Sequence, residues 1–518
     1  MEIPISLDPD NRQSLQSQLH AQVRTLILGG RLRPGAPLPP SRALAQQLGV
    51  SRNTVMLAYQ RLTAEGYLQS REALGTFVSN ELPESCLTAM RAVPPATAAG
   101  DALPARRPIP FRGRAHAVAG ARRLPLDFWL GRPDPHSFPF GLWRRLLNRV
   151  LAGAGTHFTD YGDPAGLPAL RRAIAEHLGP ARGIAVDPEQ IVVVGGCQEG
   201  LDLSARLLLR EGDAVAIENP AYQGAAYLYE SYRARLLPVH VDDSGLRVAD
   251  LPDDGAALLY VTPSHQYPMG FMLPLERRLR LLDWAWRTST YIVEDDYDSD
   301  FRYRGSPIPA LMGLDTHGCV IYLGTFSKAL GAGLRLGYLV VPRQLVGPAR
   351  TVKALHDNGR PWLEQAVLAE FIASGAYANH LRRIRQVYVE RRQCLIDCLR
   401  EHFGEAQVSG SEGGMHLVWH LPPELPRASA LQALAAEHGV GIYTLQSGAA
   451  HDFGGGPWHE QVVMLGFSSL GAKQIRTGIE RLAAAVAAAR PTPPPPSTLP
   501  GGASRDARGL PVRRPPPR

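Results

Sequence analysis

Between residues 13 and 29 apolar side chains recur at Leu15, Leu19, Val23, Leu26 and Ile27, the spacing of one helical face, and Gly29-Gly30 ends the pattern. A proline-rich turn, RLRPGAPLPP, follows. The next stretch predicts a helix from about Ser41 to Leu48, a turn at Gly49-Val50, and a second helix capped by Ser51 and ended at Gly66. Helix, short turn and helix make a helix-turn-helix. Two short runs, YLQS and TFVS, are separated by REALG and predict a β-hairpin wing with Gly75 at its bend.

The periodicity stops at residue 81, and up to 123 the chain is rich in Ala, Pro and Arg, which predicts a semi-extended linker. From 124 to 490 short apolar runs (IVVVGG, AVAIENP, ALLYVTP, TYIVEDD, CVIYLGT, GYLVVP) alternate with longer helical stretches. Runs of that kind are strands buried on both faces, so the alternation predicts a mostly parallel sheet between helices. A helical stretch from about Trp362 to Arg400 precedes MHLVWHL, GVGIYTL, VVMLGFS and an Ala-rich final helix, which predicts a smaller C-terminal α+β subdomain. Residues 491–518 are proline-rich without an apolar stripe and predict a disordered tail. The expected domains are therefore 1–80, 81–123, 124–490 and 491–518.

Composition narrows the function classes. With 518 residues and 45% hydrophobic content, the chain is too long for one core and too apolar for wholesale disorder. It contains no run of about 18 apolar residues and no basic-then-apolar N-terminus, so a soluble cytoplasmic protein without a membrane segment is expected. Five scattered cysteines without CxxC spacing indicate neither a disulfide framework nor a metal site. The net charge of +7 is uneven: 1–80 carries +3, 81–123 carries +4, 491–518 carries +4, and the remaining body is acidic at −4. A basic front end on an acidic body points to nucleic acid. Only three of the 55 basic residues are lysines (Lys328, Lys353 and Lys473), so chemistry that needs a primary amine has three candidates.

The strongest chemical motif is GTFSKALGAGLRLGYLV, residues 324–340. Lys328 stands just past the end of a buried strand, where ligands bind in open α/β sheets, between Thr325, Ser327 and Arg335. A lysine there can form a Schiff base with a carbonyl cofactor, while Ser and Arg hold a phosphate. Upstream, TYIVEDDYDSD ends another strand on Glu294, Asp295, Asp296 and Tyr297; stacked carboxylates at a buried strand end call for a cation, and a protonated pyridine nitrogen is one. GGCQEGLDL places Gly196, Cys197 and Gln198 at a helix start whose free N–H groups suit a phosphate. Tyr222, in ENPAYQG, can stack on a flat ring, and TPSHQYPMG ends a third strand with His265 and Tyr267.

The order of these motifs, with YGDPAGLPALRRAIAEHL upstream, closely resembles the pyridoxal-phosphate-dependent aminotransferases of fold type I, and the preceding module resembles a GntR-type winged helix. Together they resemble the MocR subfamily of GntR transcription regulators over about residues 10–490. The resemblance implies a multidomain protein: an α-helical winged helix-turn-helix, then an α/β three-layer PLP-dependent transferase domain with a smaller α+β subdomain. It implies that Lys328 carries pyridoxal 5′-phosphate as a Schiff base, Asp295 pairs with the pyridine nitrogen, Tyr297 lies near the phenolic oxygen and Tyr222 stacks on the ring. Gly196, Cys197, Gln198, Thr325, Ser327 and Arg335 would surround the phosphate.

Two departures stand out. The asparagine of the aminotransferase Asn-Pro-x-Gly loop has no literal match, leaving His265 or Tyr267 for its role. The arginine that holds a substrate carboxylate, expected just before VVMLGFSSL, is missing, since no arginine lies between Arg427 and Arg476. In the N-terminal module Arg42 opens the first helix of the motif, and Ser51, Arg52, Asn53 and Thr54 occupy the first turn of the recognition helix, where side chains meet base edges in the major groove. The GntR resemblance places Gly75 and Thr76 at the wing tip. The expectation is a regulator that binds double-stranded operator DNA, forms a homodimer and senses a small-molecule effector, either an amine or a vitamin B6-related compound. The rival is an active aminotransferase with an accessory DNA-binding module.

Overall fold

A computed structural model describes residues 3–11, 13–71, 74–80, 124–304 and 309–489. The expected linker at 81–123 and tail at 491–518 lie outside the described residues. The chain divides into two units, Met1–Pro108 and Ile109–Arg518, each with its own core.

In the first unit helices α1 (Leu15–Leu28), α2 (Ser41–Leu48) and α3 (Arg52–Ala64) form where the apolar spacing predicts them. Gly49 closes α2 in the left-handed conformation at φ 65°, which glycine adopts without steric cost. Ser51 then starts α3 by accepting a hydrogen bond from the Thr54 amide at 3.1 Å. Leu19, Val23, Leu44, Val55, Ala58 and Leu62 meet in one core. Strands Leu68–Arg71 and Gly75–Val78 pair antiparallel, with Arg71 opposite Gly75. Gly75 thus opens the return strand at φ 109°, and residues 72 and 73 of the expected REALG bend lie outside the described residues.

The second unit is built on an eight-stranded sheet. Its spatial order is Ile191–Val194, Gly337–Val340, Val320–Thr325, Tyr291–Asp296, Leu258–Val261, Ala214–Asn219, Arg235–Asp242 and Gly245–Leu246. The five strands from Val320–Thr325 to Arg235–Asp242 run parallel. Gly337–Val340 runs antiparallel to both its neighbours. Along Ile191–Val194, Ile191 and Val193 enter one apolar cluster while Val192 and Val194 enter another, so both sheet faces are covered and the domain has three layers. Strand Arg235–Asp242 escapes the sequence pattern because it is half exposed and carries Pro238.

The helical stretch expected from about Trp362 to Arg400 is present as two helices, Trp362–Ala373 and Ala376–Phe403, separated where Gly375 takes φ 74°. One further expectation is corrected. Of GVGIYTL only Val440–Gly441 is a strand, and it pairs in parallel with Leu126–Asp127. The small subdomain's sheet is instead Gln407–Ser409, His416–His420 and Val462–Gly466, all antiparallel. Among the described residues no helix is long and apolar enough to cross a membrane.

Candidate functional site

At the carboxyl ends of the parallel strands lies a cavity of about 330 Å³. All ten residues expected around a cofactor line it, although they come from four separate motifs of the sequence. Lys328 Nζ donates to the Gly131 carbonyl at 3.1 Å. A Cβ on Gly131 would stand 2.5 Å from that nitrogen, so glycine is what lets the N-terminal segment pass so close to the lysine. Burial lowers the Lys328 pKa from its ordinary value, against Asp298, Cys197 and Asp295, which raise it.

Opposite the lysine, Asp295 Oδ2 accepts a hydrogen bond from Tyr260 at 2.9 Å, while Oδ1 is buried with no partner among the described residues. Burial pushes the carboxyl up to about 6, opposed by hydrogen bonds from the Cys197 thiol and Tyr260. A buried carboxylate with one vacant oxygen is matched by a protonated ring nitrogen.

Gly196 precedes the helix Cys197–Leu208 at φ 119°, and a Cβ there would lie 3.6 Å from Arg335 Nη1. Helix start and guanidinium therefore converge on one spot, as a dianionic phosphate requires. Arg335 itself adopts φ 52°, a left-handed conformation unusual for a residue with a side chain. The Ser327 amide donates to Thr325 Oγ1 at 3.1 Å, holding both hydroxyl residues beside Lys328. Tyr222 donates to Gln198 Oε1 at 3.3 Å. The donor set, the orphaned Asp295 oxygen and the glycine cradle together fit pyridoxal phosphate.

Of the two residues left open for the loop-asparagine role, Tyr267 reaches the cavity and His265 does not. The Tyr267 ring meets Tyr222 and Tyr297 edge-on at 5.8 and 5.9 Å, and its hydroxyl donates to the Gly448 carbonyl. His265 stands behind Tyr297, with Nδ1 3.1 Å from the Tyr297 hydroxyl and 3.0 Å from Asp298 Oδ2. Arg360 does not line the cavity; it lies 3.6 Å from Glu199 and 3.9 Å from Asp357. Sequence reasoning missed Trp129, Gly131, Tyr260 and His416, all of which line the cavity. Tyr260 and His416 sit inside apolar strands, where only the direction of the alternation separates a cavity residue from a core residue.

In the first unit Arg42, Ser51, Arg52 and Asn53 are exposed, as is Gly75, while Thr54 and Thr76 are half-buried. Ser51 and Thr54 bond to each other at 2.8 Å as part of the helix cap, and Arg52 Nε donates to Ser41 Oγ at 3.4 Å. Arg42, Arg52 and Asn53 therefore present the chemistry available for base edges and phosphates.

Known proteins match both units. The family described as "Bacterial regulatory proteins, gntR family" matches residues 15–78, and "Aminotransferase class I and II" matches residues 131–450. The probable rhizopine catabolism regulatory protein MocR of Rhizobium meliloti is 39% identical over 92% of this chain and 95% of its own. The HTH-type pyridoxine biosynthesis transcriptional regulator PdxR of Corynebacterium glutamicum is 33% identical over 94% of this chain and 99% of its own. Among solved structures, an archaeal alanine:glyoxylate aminotransferase superposes with a TM-score of 0.65 at 28% identity, covering 72% of this chain and 92% of that one. With a GntR-family match in one unit, an aminotransferase-family match in the other and a MocR relative 39% identical over 92% of the chain, the chain belongs to the MocR-type regulators of the GntR family.

Proposed function

We propose that this regulator holds pyridoxal phosphate on Lys328 and that the occupied cavity senses a small ligand, which changes how the N-terminal unit binds operator DNA. The observation that carries this reading is that Lys328 and Asp295, whose Oδ1 is buried without a partner among the described residues, line one cavity. When bound, the cofactor supplies an electrophilic carbon that amines exchange on. The protein's own residues do the rest. Asp295 would hold the ring nitrogen's proton, Tyr222 would cover the ring, Tyr297 would serve the phenolic oxygen, and the start of helix Cys197–Leu208 with Thr325, Ser327 and Arg335 would neutralise the phosphate. Partial burial keeps Lys328 a better nucleophile than an exposed lysine.

The assembly we propose is a homodimer. Phe158, Tyr161 and Leu355, at 61%, 89% and 82% exposed, are large apolar side chains for a surface, and a second copy would cover them. A ligand shifts DNA affinity only insofar as it prefers one arrangement of the protein over another. The test is operator binding by the purified protein at fixed salt, with and without ligand, alongside its visible absorbance. Ligand-dependent affinity in the wild type that vanishes in Lys328→Ala supports the proposal. Identical affinities with and without ligand at saturating absorbance change would refute sensing.

A further inference from the structure

The ligand's share of the cavity wall can be read from one strand pair. In the small subdomain His416 stands opposite Gly466 and Val418 opposite Met464. Alternate residues share a face, so these four lie on the same side of the sheet. His416 reaches the cavity, and Val418 and Met464 pack with Leu130 and Met269 into an apolar cluster beside it. The face from which a carboxylate-binding guanidinium would project therefore carries two buried apolar side chains, one of them a thioether, and one imidazole.

That imidazole has a defined donor and acceptor. His416 is 1% exposed and its Nε2 lies 2.8 Å from the Pro268 carbonyl, which can only accept. Nε2 therefore carries the hydrogen, and Nδ1 is left as an acceptor with no partner among the described residues. Burial, with His265 and Lys328 nearby, pushes the ring's pKa down to about 3, so it stays neutral. Among the described residues the cations lining the cavity are Lys328 and Arg335, and the proposed cofactor engages both. Arg132, next to Gly131, lies outside the lining and directs Nη1 to Asp127 Oδ2 at 3.3 Å. A carboxylate brought here would lose its water for apolar and neutral walls, whereas hydroxyls would find His416 and the tyrosine rings.

We infer, on the reading that the cavity holds pyridoxal phosphate, that its effector is a primary amine bearing hydroxyl groups and no carboxylate, and that His416 Nδ1 accepts a hydrogen bond from one of those hydroxyls. The exchange balances without an oxidant or reductant. With the cofactor bound, the carbon–nitrogen double bond would pass from the Lys328 nitrogen to the ligand nitrogen, and the two hydrogens of the ligand's amine would end on Lys328, which would be released as a free amine.

Serine, serinol and isopropylamine share a three-carbon skeleton and differ in carrying a carboxylate, two hydroxyls or neither. Each is titrated into the full-length holoprotein and followed by the visible band. Serinol is expected to half-saturate the change at a concentration about tenfold or more below serine. His416→Phe should shrink serinol's advantage over isopropylamine to about threefold or less, while His416→Asn, which keeps an acceptor, retains part of it. Serine binding as tightly as serinol would overturn the inference and make Arg132 the first candidate for a clamp. So would a band that no amine shifts, or a serinol advantage unchanged in both variants. If His416→Phe melts early or loses the band, the wild-type comparison and His416→Asn still decide. A wild type with no visible band, or a band that survives Lys328→Ala, sinks instead the cofactor reading beneath it.

Discussion

Of the three lysines, Lys353 is buried between Glu199 and Asp357, with Asp357 Oδ2 at 2.7 Å, and Lys473 stands exposed on the last helix. Lys328 alone among them lines the cavity, so Lys328→Ala should abolish the visible band; a reducible adduct on either other lysine would contradict this. Asp295 supports a second test. Its carboxyl is raised from 3.8 to about 6, so the folded state binds this proton more tightly than the unfolded chain does. The stabilisation this provides is complete below about pH 4 and lost as pH rises through 6, and two units bound it at roughly 3 kcal/mol. In cofactor-free protein, Asp295→Asn should therefore gain stability relative to wild type between pH 4 and 7 by chemical denaturation. Pyridoxal phosphate should flatten the difference in the wild type by supplying a cation. Glu294, raised to about 7 mainly by burial, is common to both proteins and cancels; Glu218, also raised to about 7 mainly by burial, loses in the variant the smaller part of its rise that the Asp295 charge supplies, which adds to the gain. Lys328 and Asp295 were legible in the sequence because Lys328 stands just past one buried strand and Asp295 at the end of another. Tyr260 and His416 were not, because their neighbours Leu259 and Leu417 are equally apolar and only strand pairing decides which of them meets the cavity.

At the scale of elements, α3 depends on Ser51 for its start. Ser51→Ala removes the cap to the Thr54 amide and should cost the N-terminal unit about 1 kcal/mol in denaturant melts, with no change if the cap is redundant. Arg52→Ala leaves the cap in place. It should weaken operator binding by about 1–3 kcal/mol and relax base preference at fixed salt; a proportional loss on all sequences would mean that Arg52 touches phosphate only. The helix-turn-helix was legible because its signals are local: apolar spacing, Gly49 past one helix and Ser51 before the next. The buried strands were legible for the same reason. What was not legible depends on distant partners. Val440–Gly441 is a strand because Leu126–Asp127 lies beside it, more than 300 residues away in sequence by their numbering, and nothing in GVGIYTL announces so short a pairing. The break at Gly375 is a single left-handed residue between two apolar helical stretches, and a lone glycine in a helical pattern does not mark its own conformation.

For the whole molecule the question is whether an aminotransferase cavity turns over. The fold retains what cofactor chemistry needs on one side, the Lys328 amine facing Asp295, yet the sheet face toward the substrate side offers His416, Val418 and Met464. Charged hydrogen bonds are worth roughly 1.5–3 kcal/mol each, and a bidentate clamp also fixes the orientation in which a proton is removed. Lacking that clamp, a common amino acid should bind loosely and react slowly. Against a panel of amino donors with 2-oxoglutarate or pyruvate, the protein should give less than about one turnover per minute, where enzymes commonly reach about 10 per second. Sustained turnover with any donor would make this an enzyme that also carries a DNA-binding unit. The two outcomes also differ in what Lys328→Ala does to gene control. In a sensor the variant loses ligand response but keeps operator affinity, because α3 and its cap belong to a separate unit with its own core.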